Sequence, residues 1–412
     1  MIPISLEELE ALGLGALSGD GEVTGLHIDS RRVGPGDLFV AIRGGRDFVE
    51  EAQARGAATL VPHDEHAAMG AIGQILRNRS RARVVGVTGS TGKTSTKDIL
   101  AALCAPVART VWTEGSYNAE LGVPLTLGKL EPDTELCIVE MGMRGFGQIG
   151  ELCEIARPDV GVISAIGPVH LELVGSIEGV ARSKAELVDA LPEGGIAVVP
   201  RSEHLEPHLR DDIEIRRVGP VDVELRDDGA HVAFAGRRIR FPLTSRHQAQ
   251  NALTAMTAYD ALGLPLDRLD EGAAGVRLSP WRGEELPLPG RGVVINDAYN
   301  ANPTAMEAAL RHLAERGGSR RRLAILGGMA ELGDHAERHH REIAELAREL
   351  GVEVIAVGDL ARGYDAETWV PDAASALAAA RERVEPGDAV LVKASRAVAL
   401  EGIAPALANP TD

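Results

Sequence analysis

The sequence has few cysteines and no long apolar run, and these two shortages exclude several classes of protein. Its three cysteines, Cys104, Cys137 and Cys153, show no CxxC spacing, so we expect neither structural disulfides nor a thiolate metal site. No window approaches the roughly 18 to 20 apolar residues of a membrane span. The first ten residues, "MIPISLEELE", also lack the features of a signal peptide. We therefore expect a cytoplasmic protein that does not insert into a membrane.

Basic residues are too few to balance the acidic ones. The chain has 43 lysines and arginines against 61 aspartates and glutamates, which gives a formal net charge of −18. A surface of this sign disfavours duplex nucleic acid and anionic membranes as the main partner. Small anionic ligands stay possible, because a local cationic pocket can outweigh the field of the whole chain.

Lysine is the scarcest charged residue. The chain keeps it at only five positions, Lys93, Lys97, Lys129, Lys184 and Lys393, whereas the other 38 basic residues are arginine. A chain that relies so heavily on arginine is expected to keep lysine where a guanidinium cannot do the same work. Chance retention is the alternative for each of the five.

The length of 412 residues indicates two or three domains. We predict boundaries that give a small mixed unit over residues 1–82, a central unit over 83–290 and a third over 291–412. Apolar strands such as "RVVGVT", "LCIVEM", "GVVIND" and "LAILGG" are each followed by a Gly-containing loop and a helical stretch. This pattern predicts two α/β units with parallel sheets. A Pro- and Gly-rich stretch at 278–292 is predicted to be a linker.

Polar residues that directly follow the predicted strands mark the edge at which parallel sheets bind ligands. These residues are Thr88 and its successors, Glu140, and the segments 167–170, 297–302, 328–331 and 393–396. We expect the functional site among them.

The segment "GVTGSTGKTSTKDIL", residues 86–100, follows a strand and opens a helix. Its small residues allow backbone N–H groups to close around phosphate oxygens, Lys93 can reach the β- and γ-phosphates, and Thr94 can ligate Mg²⁺. The usual phosphate-loop spacing would need glycine in place of Val87. A Gly-rich turn with an incidental lysine is the alternative, but the strand, loop, GKT triplet and helix together favour nucleotide binding.

Two polar residues follow the next strands of the central unit. Glu140 ends the strand "LCIVE" and could hold the Mg²⁺ that Thr94 touches, because Mg²⁺ prefers hard oxygen ligands. A salt bridge at the edge of the sheet is the alternative for Glu140. His170 lies in the following loop, where a structural hydrogen bond is the alternative to a ligand role.

Lys184 lies on the apolar face of a predicted helix, between Val180 and Val188. Burial favours the neutral form of a lysine. A neutral amine can react with CO₂ to give a carbamate, which is a carboxylate on a long arm and a good metal ligand. Arginine cannot take this role, because it does not deprotonate in proteins. A lysine that reaches the solvent along the helix surface is the alternative.

In their order and number, these motifs resemble the Mur ligase family of cell-wall enzymes, over nearly the whole chain. The shared stretches are "DSRRVGPGDLFVAIRG", "GVTGSTGKTSTK", "NAELGVPLTL", "EMGMRG", "HLELVGSIEGVARSKAEL", "RHQAQNALTA", "INDAYNANPTAMEAAL", "LAILGGMAELG" and "VLVKASR". The "YNANP" box and the "GKTSTK" ending are most similar to the member that joins D-alanyl-D-alanine to UDP-MurNAc-tripeptide.

The resemblance implies a ligase of three α/β domains, which we expect to be a monomer. A small N-terminal domain would hold the uridine nucleotide, a central P-loop ATPase-like domain with a parallel sheet would bind ATP, and a C-terminal Rossmann-like domain would close over ATP and the dipeptide. ATP would phosphorylate the tripeptide carboxylate, and the dipeptide amine would attack the acyl phosphate to give UDP-MurNAc-pentapeptide. Another acceptor amino acid, or a P-loop ATPase without ligase activity, are the alternatives.

The resemblance also assigns roles to residues, with Lys93, His170 and Lys184 as the catalytic ones. The residues expected around ATP are Gly89, Ser90, Thr91, Gly92, Lys93, Thr94, Ser95, Asn251 (adenine), and Arg282 and Asp297 (ribose and γ-phosphate). One Mg²⁺ would be held by Thr94 and Glu140, and a second by His170 and carbamylated Lys184. The substrate contacts would be Ser30 and Arg31 for the uridine nucleotide, Asn118 for the peptide, and Asn300 and Asn302 for the dipeptide.

The chain departs from the family pattern in a few places. Gly44, Gly45 and Arg46 replace the usual Asp-Gly-His triplet of the first domain, and Gly328 replaces an aspartate that often precedes the methionine of "GGMAELG". None of these changes removes a predicted phosphate or metal contact, so the ligase activity is still expected.

Overall fold

The computed structural model describes residues 1–409. Its first part holds a four-stranded and a two-stranded sheet. The strands are β1 (Ile4–Ser5), β2 (Gly15–Ser18), β3 (Glu22–Val23), β4 (Gly25–His27), β5 (Asp37–Val40) and β6 (Ala58–Pro62), and the helices are α1 (Leu6–Ala11), α2 (Val49–Ala54) and α3 (Glu65–Arg79). The larger sheet has the order β2-β6-β5-β4, with β2 antiparallel and the other strands parallel.

The central part is built on a six-stranded parallel sheet. Its strands are β7 (Arg83–Thr88), β8 (Thr110–Trp112), β9 (Leu136–Glu140), β10 (Val160–Ile163), β11 (Ile196–Pro200) and β12 (Glu214–Val218), and an antiparallel sheet follows with β13 (Val223–Arg226), β14 (Gly229–Phe234) and β15 (Arg237–Phe241). Its helices are α4 (Lys93–Cys104), α5 (Gly122–Leu127), α6 (Gln148–Ala156), α7 (Leu171–Val174), α8 (Ile177–Asp189), α9 (Arg246–Ala261) and α10 (Leu269–Ala274). The six-stranded order is β12-β11-β10-β7-β9-β8.

The third part holds a second six-stranded sheet, in the order β16-β17-β21-β18-β19-β20. Its strands are β16 (Glu284–Leu288), β17 (Gly292–Asn296), β18 (Arg322–Gly327), β19 (Val352–Val357), β20 (Thr368–Val370) and β21 (Ala389–Lys393), and its helices are α11 (Pro303–Gly317), α12 (Ala336–Glu349), α13 (Ala373–Arg383) and α14 (Ile403–Ala408). Only β16 is antiparallel to its neighbour.

These parallel sheets confirm the predicted α/β class. The stretch 278–292 was predicted to be a linker, but it contains the strand β16 and the first residue of β17. In the second six-stranded sheet, Leu288 of β16 is buried. Pro287 is tolerated there because β16 is the edge strand. The predicted boundaries at 82/83 and 290/291 stay predictions, and residues 410–412 of the predicted third domain lie outside the described part.

Apolar residues explain why the elements pack in this way. The central strands β7, β9 and β10 are buried on both faces, as expected for a parallel sheet covered by helices. The helix α3 of the first part packs on α5 and α6 of the central part, where a Cβ atom on Gly73 would lie 2.9 Å from Ile155 Cγ2. None of the helices within residues 1–409 is long and apolar enough to cross a membrane.

Candidate active site

The carboxyl ends of the strands in the two six-stranded sheets face each other across a cleft of about 1080 Å³. Loops after β7, β9 and β10 line one side, and loops after β17, β18 and β21 line the other. The carboxyl ends of parallel strands are the usual place for ligands, and here two such edges contribute to one cleft. The cleft therefore contains most of the residues that the sequence singles out.

The phosphate loop adopts a backbone that requires glycine at two positions. Gly89 and Gly92 have φ angles of +148° and +78°. A Cβ atom on Gly89 would lie 2.1 Å from Ser164 Oγ, and one on Gly92 would lie 2.3 Å from Asn251 Oδ1. Ser90 fixes the loop to the neighbouring strand end, because its Oγ donates to Gly167 O (3.0 Å) and accepts from Gly167 N (2.9 Å).

Lys93 opens the helix α4, so that the N–H groups of the first turn point toward the same loop. Its ammonium donates to Gly89 O at 2.8 Å. Burial lowers the pKa of Lys93, an effect partly opposed by the nearby charge of Glu140. The lysine therefore provides a partly desolvated point charge beside the phosphate loop.

Glu140 brings two other predicted residues, Thr94 and Asn118, around its carboxylate. Its Oε1 accepts from Thr94 Oγ1 at 3.2 Å and from Asn118 Nδ2 at 2.7 Å. Its Oε2 is buried and has no hydrogen-bonding partner within the described protein. An unpaired buried carboxylate oxygen beside a threonine hydroxyl fits a hard cation such as Mg²⁺.

His170 lines the cleft, whereas Lys184, on the helix α8, is not among the lining residues, and no hydrogen bond joins the two side chains. His170 Nδ1 instead lies 2.5 Å from Glu331 Oε2, and this hydrogen bond lowers the pKa of Glu331. Lys184 is 1% exposed and forms no hydrogen bond or ion pair among the described residues. Burial, and secondly the charge of Lys93, lower the pKa of Lys184 well below that of an ordinary lysine. The helix α8 thus holds an amine whose neutral form is favoured.

No group of three or more His, Cys, Asp or Glu side chains within residues 1–409 forms a complete metal site. Each predicted metal position would have two protein ligands. Mg²⁺ typically keeps waters and binds substrate phosphates in addition to one or two carboxylates. Two protein ligands for each ion therefore suffice at a site where waters and the nucleotide phosphates supply the other ligands of Mg²⁺.

The third part of the chain and Arg282, in the segment just before it, contribute a network that crosses the cleft. Lys393 Nζ lies 2.6 Å from Asp297 Oδ2 and donates to Asn300 O at 2.9 Å. Arg282 donates to Thr94 Oγ1 at 2.8 Å, and its guanidinium stacks 3.7 Å above the Tyr299 ring. The Tyr299 hydroxyl is hydrogen-bonded to Ser116 Oγ of the central part.

The asparagines predicted to meet the dipeptide line the cleft, but their side chains bond within the protein. Asn302 caps α11 by accepting from Ala305 N at 2.9 Å, and its amide lies 3.4 Å from Ser90 O. The Asn300 side chain accepts from Ala301 N at 2.9 Å. Asn302 thus fixes the start of α11 against the phosphate loop.

The residues predicted for the uridine nucleotide lie elsewhere. Ser30 is buried, and Arg31 is exposed and pairs with Asp29, with Nη2 to Oδ2 at 2.8 Å. Neither residue lines the cleft, whereas Arg43 from the same part of the chain does. The role of Ser30 and Arg31 stays a prediction, and the sequence did not single out Arg43.

Sequence reasoning gave no individual role to Lys97, Ser116, Tyr299 or Arg144. Lys97 is fully buried in α4, where its ammonium donates to Thr113 O at 2.7 Å and Gly115 O at 2.8 Å. It also pairs with Asp98 Oδ1 at 2.8 Å. The lysine therefore ties the phosphate-loop helix to the loop that carries Ser116 and Asn118. The scarcity of lysine was the available signal for it.

Comparison with known proteins gives one family along the whole chain. Family models described as "Mur ligase family, catalytic domain", "Mur ligase middle domain" and "Mur ligase, glutamate ligase domain" match residues 22–101, 87–259 and 282–396. The chain is 31% identical to the UDP-N-acetylmuramoyl-tripeptide–D-alanyl-D-alanine ligase of Escherichia coli (strain K12), covering 99% of each chain. It is 33% identical to the enzyme of that name from Mycobacterium tuberculosis (strain CDC 1551 / Oshkosh), covering 93% of this chain and 92% of the relative.

Solved structures agree with this assignment. A crystal structure of MurF from Acinetobacter baumannii matches with a TM-score of 0.85 and 27% identity, over 98% of this chain and 99% of that one. MurF ligase from Thermotoga maritima, in complex with ADP, matches with a TM-score of 0.80 and 26% identity, over 92% of this chain and 96% of that one. The predicted three-domain α/β architecture is therefore confirmed.

The buried position of Lys97 leads to a prediction about stability. Replacing Lys97 with methionine removes the ammonium, so that Asp98 Oδ1 and two backbone carbonyl groups each lose a partner. Because breaking a buried ion pair leaves an uncompensated charge, we expect the free energy of unfolding to fall by about 3 kcal/mol. Urea titration of the purified protein measures this change.

Lys129→Met is the matched control, since Lys129 pairs with Glu114 at the surface at 3.3 Å, with side chains 42% and 56% exposed. We expect this variant to lose no more than about 1 kcal/mol. Equal losses in the two variants would contradict the anchoring role of Lys97.

Proposed function

This chain belongs to the Mur ligase family, and we propose that it joins D-alanyl-D-alanine to UDP-MurNAc-tripeptide at the expense of ATP. The product would be UDP-MurNAc-pentapeptide, a precursor of peptidoglycan, together with ADP and phosphate. The observation that carries this proposal is the cleft in which a phosphate loop from one sheet faces Asp297 and Lys393 from the other sheet and Arg282 from the segment before β16. Relatives that share the fold over nearly the full length of the chain carry this activity in their names.

The reaction we propose has two steps. The tripeptide carboxylate attacks the γ-phosphorus of ATP, which gives an acyl phosphate and ADP. The amine of D-alanyl-D-alanine then attacks the acyl carbon, loses a proton and expels inorganic phosphate. A phosphoryl group in transfer spreads negative charge over its oxygens, so that Lys93, the loop N–H groups and Arg282 are suited to bind it.

Mg²⁺ bound to Thr94 and Glu140 would neutralise part of the phosphate charge. Hydrogen bonds within the protein hold these two side chains together, because Glu140 Oε1 accepts from both Thr94 and Asn118 while Oε2 stays unpaired. We also propose that His170 and a carbamate on Lys184 hold a second ion. This proposal is supported by the full burial of Lys184 and the lack of a partner for its amine.

The contacts across the cleft would protect the acyl phosphate from water. Ser116 with Tyr299, Ser90 with Asn302, and Thr94 with Arg282 each join the central part to the following segments. An acyl phosphate hydrolyses readily, and domain closure commonly excludes water from such intermediates. The remaining assignments, Asn251 to adenine, Ser30 and Arg31 to the uridine nucleotide, and a cytoplasmic monomer, stay predictions.

The first experiment measures phosphate release from ATP and Mg²⁺ with UDP-MurNAc-tripeptide, in the presence and absence of D-alanyl-D-alanine. Release should require both substrates, and UDP-MurNAc-pentapeptide should appear in the same amount as phosphate. Turnover that does not depend on the dipeptide would contradict the proposed acceptor. Turnover without either substrate would indicate an ATPase instead of a ligase.

The carbamate makes a second prediction, which does not rely on activity alone. Incubation of the protein with ¹³C-labelled bicarbonate should produce one carbamate signal in the ¹³C NMR spectrum, and Lys184→Arg should abolish it because a guanidinium does not form the carbamate. Loss of a metal ligand should also lower kcat by at least about 10- to 100-fold.

Lys129→Arg is the control, since Lys129 is exposed and is not among the residues that line the cleft. It should keep both the carbamate signal and the activity. A fully active Lys184→Arg variant would refute the ligand role of Lys184.

A further inference from the structure

Glu331 has no part in the proposed ligase chemistry, although it lies in a segment that the sequence singles out, 328–331. The structure places it in the lining of the cleft, in the loop after the strand β18. Its Oε2 lies 2.5 Å from His170 Nδ1, which belongs to the loop after β10 of the other sheet. Glu331 thus forms a direct contact between the third part of the chain and a predicted metal ligand.

The loop that carries Glu331 is held firmly by its own domain. Met329 N donates to His340 Nε2 at 3.0 Å, and Ala330 N donates to Ser395 Oγ at 3.0 Å. The following residue, Leu332, is buried in the apolar core. Because the two residues before Glu331 and the one after it are fixed, the backbone that carries its carboxylate is held in one place.

Both partners of the contact have an unusual backbone. His170 has φ +52° and ψ +29°, and Glu331 has φ +61°. Residues other than glycine rarely adopt this left-handed conformation, and such residues concentrate at functional sites. The two loops also meet through their backbones, since Glu172 N lies 3.4 Å from Glu331 O. The surrounding structure therefore holds two strained residues face to face.

The contact determines which nitrogen of His170 carries a proton. A carboxylate only accepts hydrogen bonds, so Nδ1 must be the donor to Glu331. In a neutral imidazole, Nε2 is then the nitrogen with the free electron pair. Histidines that bind metals commonly donate their other ring N–H to a carboxylate, which fixes the ring and its tautomer. The second oxygen of Glu331 lies 3.4 Å from Arg144 Nε, which limits rotation of the carboxylate.

We propose that Glu331 is a positioning residue, supplied by the C-terminal domain, that orients the His170 ring and selects the Nδ1–H tautomer of its neutral form, which leaves Nε2 as the ring nitrogen for a ligand in the cleft. Because the carboxylate comes from the opposite domain, His170 is oriented only when the two domains are together. The geometry of the contact does not depend on the proposed function, but its value for catalysis rests on that function. Closure of the domains would then also orient His170.

The test uses Glu331→Ala and Glu331→Gln in the full-length protein, with two independent measurements. Steady-state kinetics should show kcat reduced by about 10- to 100-fold, with a much smaller change in the KM for ATP. ¹⁵N NMR of histidine-labelled protein at fixed pH reports the ring tautomers. The His170 signals, assigned by their loss in His170→Gln, should show Nδ1–H in the wild type and change in Glu331→Ala.

Asp334→Asn is the matched control. Asp334 is an exposed carboxylate of the same loop and forms no hydrogen bond or ion pair among the described residues. It should keep kcat within about twofold of the wild type, as is usual for surface changes, and leave the His170 signals in place.

Two results would overturn the proposal. The first is unchanged His170 signals in Glu331→Ala, even if activity falls, because Glu331 would then act only as a contact between domains. The second is altered His170 signals with unchanged kcat. If the wild type itself makes no pentapeptide, the proposed function fails, and the NMR signals still decide whether Glu331 positions His170.

Discussion

The opposition of two parallel sheets at their carboxyl ends is the constraint on which the site depends. Each sheet presents only part of the chemistry: the phosphate loop and Glu140 come from one, and Asp297, Lys393 and Glu331 come from the other. The cleft is complete only because the two edges meet. An arrangement of this kind lets a ligase assemble and exclude water at the same time, which suits an intermediate that water would destroy.

Four of the five lysines are buried or belong to the phosphate loop, and the fifth lies at the surface. Lys97, Lys184 and Lys393 are at most 2% exposed, and Lys93 begins the phosphate-loop helix, whereas only Lys129 is an exposed surface residue. An ammonium offers three donors on a slender stem, and Lys97 and Lys393 each use them on backbone carbonyls and a carboxylate. The planar fork of arginine suits paired acceptors such as carboxylates better than such a set.

The fold and half of the site could be predicted because their signals are local. Buried strands, the phosphate loop and the carboxylate after β9 each lie within a few residues of sequence. The contacts of Glu331 with His170 and of Tyr299 with Ser116 join residues 161 and 183 positions apart, and no local pattern reveals them. The strand β16 was hidden for another reason, since prolines and glycines around it are typical of a linker, yet an edge strand tolerates them.

The most direct test of the proposed acyl phosphate traces an oxygen atom of the tripeptide carboxylate. The tripeptide carboxylate is labelled with ¹⁸O, and the phosphate released during ligation is analysed by mass spectrometry. If the carboxylate attacks ATP in the cleft, its oxygen bridges carbon and phosphorus and leaves with the phosphate, so each molecule of phosphate should carry one atom derived from the carboxylate. Phosphate without the label, formed together with the pentapeptide, would show that no acyl phosphate lies on the path.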